Sequence, residues 1–300
     1  MRSLVAVVVA LPWVVWALLR TLGVELSYPL VALIAFTPYA ALTAPVPVVA
    51  ALVLKRRAVA VVAAVAAVAL GFAMVPRAVA GPQPEARGPR LVVMTSNLWL
   101  GQAEPSAVLR VAREHDVDVV SVQELRPRQM RRFESDDFGV RILEPERGAG
   151  GGGLLSRVPM TPTETPMEGV VDLAGAPPIT IRSVHPRPPV SQAAEPEWRA
   201  AIEALPAGDG RILAGDFNAT FDHSEFRALL DRGYVDAADA AGAGLKPTWP
   251  APPRQRRALP LTIDHILVDR RIRVERVTVV RIPRSDHRAV IAVLRLPSGT

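Results

Sequence analysis

Three uncharged apolar runs open the chain: Ser3 to Leu19, Leu26 to Leu54 and Ala58 to Val75. Runs of this length must enter a large core or a bilayer, whose hydrocarbon of roughly 30 Å takes about 20 helical residues to cross. They predict three transmembrane helices, at 3–22, 27–54 and 58–75, so that residues 1–76 form a membrane anchor. Arg2 would also suit the charged start of a cleaved signal peptide, but two further runs favour a multi-pass anchor. Pro29, Pro38, Pro45 and Pro47 interrupt the middle run, which predicts a kinked or long, tilted helix. A re-entrant hairpin there would reverse the topology. Lys55-Arg56-Arg57 marks a cytoplasmic end, so three crossings place everything after Val75 outside the membrane.

The charge follows the same division. Residues 1–81 hold six basic residues and one acid, whereas the remainder holds 29 basic and 28 acidic residues. The net charge of +6 therefore belongs to the apolar part and says little about an anionic partner. With no cysteine, disulfides, thiolate catalysis and cysteine-based zinc sites are excluded. Two lysines beside abundant alanine, valine, arginine and proline suit a GC-rich bacterial genome.

Residues 77–90, rich in proline and glycine, predict a linker, and 91–300 a second domain. Leu91 to Asn97, Val117 to Glu124, Ile179 to His185 and Arg211 to Asn218 read as strands that end in polar residues. A further strand is expected to start after the glycines at 148–153, and Thr262 to Val268, Val274 to Ile282 and Ala289 to Leu296 complete the strands. Pro105 to Glu114 and Ser224 to Asp231 read as amphipathic helices, and Pro186 to Pro196 as a proline-rich loop. Strands outnumber helices, with polar residues at their ends, which predicts an α/β sandwich with a site along one rim.

Those strand ends supply Asn97, Glu124, His185, Asp216 with Asn218, Asp264, and Asp286 with His287. No serine sits in a nucleophile elbow, and no glycine loop leads into Lys-Ser or Lys-Thr. Carboxylates that hold a cation, amides that orient phosphoryl oxygens and a His–Asp pair that moves a proton fit metal-assisted hydrolysis of a phosphate ester.

The motifs Thr95-Ser96-Asn97, Val122-Gln123-Glu124, Leu154-Leu155-Ser156-Arg157, Val184-His185-Pro186, Gly215-Asp216-Phe217-Asn218, Ile263-Asp264-His265 and Ser285-Asp286-His287 stand in order from about Leu91 onward. In this the domain resembles the endonuclease/exonuclease/phosphatase, or DNase I-like, superfamily, as a membrane-anchored bacterial member. The resemblance implies a four-layer α/β sandwich of two packed mixed β-sheets flanked by helices. It also implies Mg²⁺, with Mn²⁺ as a substitute, and a phosphate-ester substrate such as a nucleic acid or a phospholipid headgroup. It assigns Glu124 as the principal metal ligand with Asn97 beside it and Asp286 near the metal. Asp216 and Asn218 face the attacking water and the phosphoryl oxygens. His287, oriented by Asp264, is the general base or a phosphate contact, and His185 touches the phosphate or protonates the leaving group. Pro186-Arg187-Pro188-Pro189 departs from the apolar residue usual after that histidine.

Other candidates read as structural. His115 complements a helix C-terminus, His223 opens a helix, His265 is left between a structural place and one behind the site, and Trp249 anchors a loop in preference to contacting a base or a lipid. The arginines at 126, 128, 131 and 132, and at 254, 256 and 257, read as a solvated surface rather than a polyanion site. A binding protein that keeps the fold without turnover is the alternative function. A transport role lacks an internal charged path through the apolar runs.

Overall fold

The computed structural model describes residues 1–134, 137–251 and 258–299. Arg254, Arg256 and Arg257 lie outside the described residues.

The first apolar run is α1 (Arg2–Leu22) and the third is α5 (Arg57–Met74). With the turn that follows α5, these are the two helices long and apolar enough to cross a membrane among the described residues. The middle run is not one helix. It breaks into α2 (Leu30–Ile34), α3 (Thr37–Thr43) and α4 (Pro45–Val53). Pro29 precedes α2, Pro38 sits in the first turn of α3 and Pro45 opens α4. Each lacks the N–H that a continuous helix would need.

The bundle is packed through alanine. Ala6, Ala51 and Ala60 meet at one end, and Ala17, Ala44, Ala66 and Leu70 at the other. The larger side chains face outward: Val65 is 65% exposed and Phe72 75%. Small residues inside and bulky ones outside reverse the order of a bundle made for water. The indoles of Trp13 and Trp16 donate to the hydroxyls of Thr43 and Thr37, both at 3.0 Å, tying α1 to α3.

The rest of the chain forms two six-stranded sheets. The first contains β1 (Arg90–Asn97), β2 (Val119–Gln123), β3 (Val140–Glu144), β4 (Gly152–Ser156), β11 (Arg273–Arg281) and β12 (Arg288–Arg295), in the order β11-β12-β1-β2-β4-β3. The second contains β5 (Met160–Pro162), β6 (Glu168–Val171), β7 (Ile179–Val184), β8 (Arg211–Asp216), β9 (Tyr234–Asp236) and β10 (Asp264–Asp269), in the order β5-β6-β7-β8-β10-β9. The pairs β1–β2 and β7–β8 are parallel and the others antiparallel, so both sheets are mixed.

Between the sheets, Leu91, Val93 and Val119 pack with Ile181, Ile212, Ala214 and Ile266. Outside the first sheet lies α6 (Pro105–Glu114), whose Val108 and Ala112 cover Val92 and Val120. Outside the second lie α7 (Ala194–Glu203) and α8 (Ser224–Asp231), where Trp198 and Phe226 cover Leu213 and Leu267. A short α9 (Ala237–Ala240) follows β9. This is the expected four-layer arrangement. Helix α7 begins inside the stretch read as proline loop, and β3, β5, β6 and β9 are strands the pattern did not announce.

Residues 77–90 do not hang free. Gly81 N–H donates to Ala240 O at 3.1 Å, Val274 N–H to the Gln83 side chain at 3.0 Å, and Gly88 N–H to Leu296 O at 2.9 Å. The bundle is also locked to the domain by charge. Asp222, fully buried, accepts from both terminal nitrogens of Arg77 at 3.0 and 2.7 Å and from Arg20 Nε at 3.0 Å. Glu25, in the turn after α1, accepts from Ser224 N–H at 3.0 Å at the start of α8. Val31 of α2 is buried in the same cluster as Trp198 and Phe226.

Removing Asp222 would leave Arg77 buried without its acceptor. Asp222→Ala is expected to cost about 3–5 kcal/mol, read as a lowered thermal midpoint of the detergent-solubilised chain. An unchanged midpoint would show that the ion pair does not hold bundle and domain together.

Candidate active site

Strand direction brings the polar ends to one rim. Parallel pairing aligns the C-terminal ends of β1 and β2 and of β7 and β8, and antiparallel pairing sets Asp264 at the start of β10 opposite Asp216 at the end of β8. Side chains alternate along a strand, so Asn97 continues the inner row of Leu91 and Val93, and Asp216 that of Ile212 and Ala214. The apolar inter-sheet core thus gives way at its rim to charge.

A buried polar layer separates the two. Ser121 Oγ lies 2.8 Å from Ser183 Oγ across the sheets and donates to Ala214 O at 2.8 Å. The Gln123 amide donates to Ser121 Oγ at 2.8 Å and accepts from Thr95 Oγ1 at 3.1 Å. Within the second sheet, Gly215 permits the close approach of β8 to β7, because a Cβ there would stand 1.8 Å from Val184 O.

Above that layer three of the expected residues converge on one oxygen of a fourth. Asp216 Oδ2 accepts from Asn97 Nδ2 at 3.0 Å, with His185 Nε2 at 3.6 Å and His287 Nε2 at 3.7 Å. Asn97 Nδ2 also donates to Glu124 Oε1 at 3.1 Å, while its Oδ1 accepts from Trp99 N–H at 2.8 Å. The amide nitrogen of Asn97 therefore faces the two acids and spaces them. Asn218 N–H donates to Asp216 Oδ1 at 2.9 Å and its side-chain amide to Pro186 O at 2.9 Å, fixing the loop after His185. His287 Nδ1 is 2.9 Å from Asp264 Oδ2, and His185 Nδ1 is 3.0 Å from Ala149 O. Trp99, Leu100, Glu124 and Asn218 all have left-handed backbone, with φ between 47° and 58°. Such conformations persist where the surroundings over-determine them, as at binding sites.

The electrostatics follow from the crowding. Burial pushes the Asp216 carboxyl up, and Asp264 adds to this against the pull of His287 and His185. Burial opposes charge on His287, but Asp264 and Asp216 outweigh it and raise the imidazole to about 10. Burial raises Asp286 as well, and the nearby Glu124 charge reinforces it. Glu124 and Asp286 line one cavity of about 580 Å³ with Asp216, His185 and His287. Two hard carboxylates that repel each other across a cavity fit a divalent cation. Ligand atoms of Asp216, Asp264 and His287 also lie within 4.8 Å of one another. There, however, the Asp264 carboxylate is committed to His287 Nδ1, and the trio forms an acid–imidazole–acid line instead of a cage.

Several participants were not singled out from sequence. Thr248 Oγ1 accepts from the N–H groups of Ile263 and Asp264 at 3.0 and 3.1 Å, and Ser285 Oγ donates to Asn97 O at 2.7 Å. Trp249, expected to be a loop anchor, lines the cavity and donates to Asp286 Oδ2 at 3.3 Å. Its Pro-Thr-Trp-Pro setting suits a ligand-contacting aromatic as well as a loop anchor, and the cavity lining favours the former. His265 is structural: fully buried, it pairs with Asp236 at 2.8 Å and Ala219 O at 3.0 Å. His115 caps α6 at its C-terminus and His223 precedes α8. Arg128 and Arg132 are engaged with Gly101 O and Glu104.

Residues 94–287 match the model of the Endonuclease/Exonuclease/phosphatase family. The chain belongs to this family. No curated protein matches it in sequence. Among solved structures, the endonuclease/exonuclease/phosphatase from Beutenbergia cavernae is similar at a TM-score of 0.53 and 18% identity, covering 70% of this chain and 72% of that one. D. rerio TDP2 in complex with a single-strand DNA product gives 0.52 and 15%, covering 68% and 98%. An AP endonuclease from Archaeoglobus fulgidus gives 0.51 and 13%, covering 69% and 100%. At these identities the likeness establishes the shared DNase I-like fold.

Two outcomes test the framework. Gly215→Ala is expected to cost about 3 kcal/mol by forcing β8 from β7, measured by thermal or denaturant unfolding; an unaltered midpoint would refute the close approach. His223 is buried and neutral, its imidazole lowered from the ordinary value to about 4 by desolvation. Unfolded, it takes a proton near 6.5, so from there down to about 4 the unfolded chain binds more protons and stability falls with pH. The full loss is on the order of 3 kcal/mol. His223→Gln should flatten that part of the stability–pH curve, and a parallel curve would count against it.

Proposed function

We propose that this chain is a membrane-anchored, Mg²⁺-dependent phosphoesterase that hydrolyses a phosphodiester or phosphomonoester by in-line attack of water. The observation that carries the reading is the convergence of Asn97, His185 and His287 on the single Asp216 oxygen. A space bounded by a carboxylate and two imidazoles is what a water and a phosphoryl group require between them.

Glu124, which accepts from Asn97, and Asp286, which accepts from Trp249, would hold Mg²⁺, with Mn²⁺ as a substitute. The cation supplies charge neutralisation at the phosphoryl oxygens. Asp216, with its raised carboxyl, orients the water and takes its proton. His287, held cationic by Asp264, contacts a phosphoryl oxygen as charge develops. His185, fixed through Nδ1, presents Nε2 to the leaving oxygen. Asn218 sets Asp216 and the Pro186 carbonyl in place.

The apolar bundle supports a multi-pass anchor in the cell membrane. Its bulky residues face out, and the Lys55-Arg56-Arg57 turn lies at the end where Ala6, Leu54 and Val59 meet, opposite the domain. The positive end on the cytoplasmic side would leave the catalytic domain outside.

The test is turnover of bis-p-nitrophenyl phosphate by the detergent-solubilised chain with Mg²⁺. EDTA or Glu124→Gln should each lower it by about a hundredfold, with the fold retained by circular dichroism. Turnover indifferent to both would sink the metal-dependent reading.

A further inference from the structure

One wall of the catalytic cavity does not come from the family domain. Ala32, Ala35 and Phe36, from α2 and the turn after it, line the same cavity as Glu124, Asp216 and His287. They precede the family-matched residues 94–287. Trp249, Val190 and Leu261 face them from the domain. A second cavity of about 360 Å³ continues beyond Ala35 and Leu261, which line both. Tyr39 and Leu42 of α3 form one side of it and Leu245 and Pro260 the other. The Tyr39 hydroxyl donates to Pro260 O at 2.7 Å and sets the width. Leu42 is 77% exposed, so this second space opens at the outer face of the apolar bundle.

The two cavities make one track, charged at its inner end and apolar from there to the bundle surface. Among the described residues, Arg77 is the only arginine or lysine lining either cavity, and Asp222 takes both of its terminal nitrogens. A phosphate attached to hydrocarbon asks for polar groups at one end only and an apolar path beyond.

We propose that α2 and α3 form a binding track for the hydrocarbon of a membrane lipid whose phosphate ester is the substrate, a reading that rests on the phosphoesterase activity proposed above. The lipid enters from the bilayer beside α3, and its phosphate reaches Asp216, His185 and His287 while its hydrocarbon stays between the bundle and the domain. The water oxygen bonds to phosphorus as the bond from phosphorus to the leaving oxygen breaks. Asp216 receives the water proton, and the leaving oxygen takes one from His185 or solvent.

The full chain in detergent is assayed with Mg²⁺ on phospholipids carrying four- or eight-carbon acyl chains, each below its micellar concentration. A single-stranded oligonucleotide and bis-p-nitrophenyl phosphate run alongside. The expected result is a kcat/KM about tenfold or more higher for the longer chains and little turnover of the oligonucleotide. Ala35→Trp, at the join of the cavities, should erase most of that chain-length ratio. Leu42→Ala, which shortens the apolar wall at an exposed position of α3, should lower it. Metal-dependent cleavage of bis-p-nitrophenyl phosphate with no chain-length preference, or a ratio untouched by both variants, would overturn the track and leave the phosphoesterase reading standing. Inertness toward every substrate would overturn both.

Discussion

Carboxylates crowded at a buried rim need compensation, and the arrangement around Asp216 is built on supplying it. Asp216, Asp264 and Asp286 are each less than a twentieth exposed, where unpaired charge is expensive. Asn97 donates to two of the neighbouring acids, His287 stands between Asp264 and Asp216, and Trp249 reaches Asp286. Each compensating group is delivered by a different element, so the site exists only when both sheets are packed. The Ser121–Ser183 contact beneath it ties those sheets together at the level where the apolar core ends.

The same logic of buried charge joins the apolar bundle to the domain. Asp222 follows β8 and precedes α8, yet its partners are Arg20 and Arg77, at the ends of α1 and α5. This clamp brings α2 close enough for Val31 to enter the domain core and for Ala32, Ala35 and Phe36 to face the cavity of the candidate site. A segment that looks like an accessory in sequence is therefore part of the site's enclosure. Apolar bundle and candidate site share walls because the ends of the helices are fixed by ion pairs on the domain side, while the Lys55-Arg56-Arg57 turn lies at the far end.

Much of the site was legible because strands of alternating or wholly apolar residues end abruptly in acids, amides and imidazoles. Asn97, Glu124, His185, Asp216, Asp264 and His287 could be named from that pattern, and α6 and α8 have the limits their periodicity implies. What escaped was short or lacked period. The edge strand β5 has three residues and β9 three, too few to show alternation. Helix α7 hides behind a run of prolines, and the role of Trp249 depends on a loop folding back over His287.

The sequence by itself determined the division between an apolar opening and a charge-balanced domain, the family and the identity of the polar strand ends, since these rest on local pattern and order. Only the tertiary structure decided that the proline-broken middle run becomes three short helices and that one of them walls the cavity of the candidate site. It also decided that Asn97 turns its nitrogen to the acids and that His265 is buried support. Those outcomes depend on which distant groups meet, through sheet pairing and the Asp222 clamp, and no local propensity encodes such meetings.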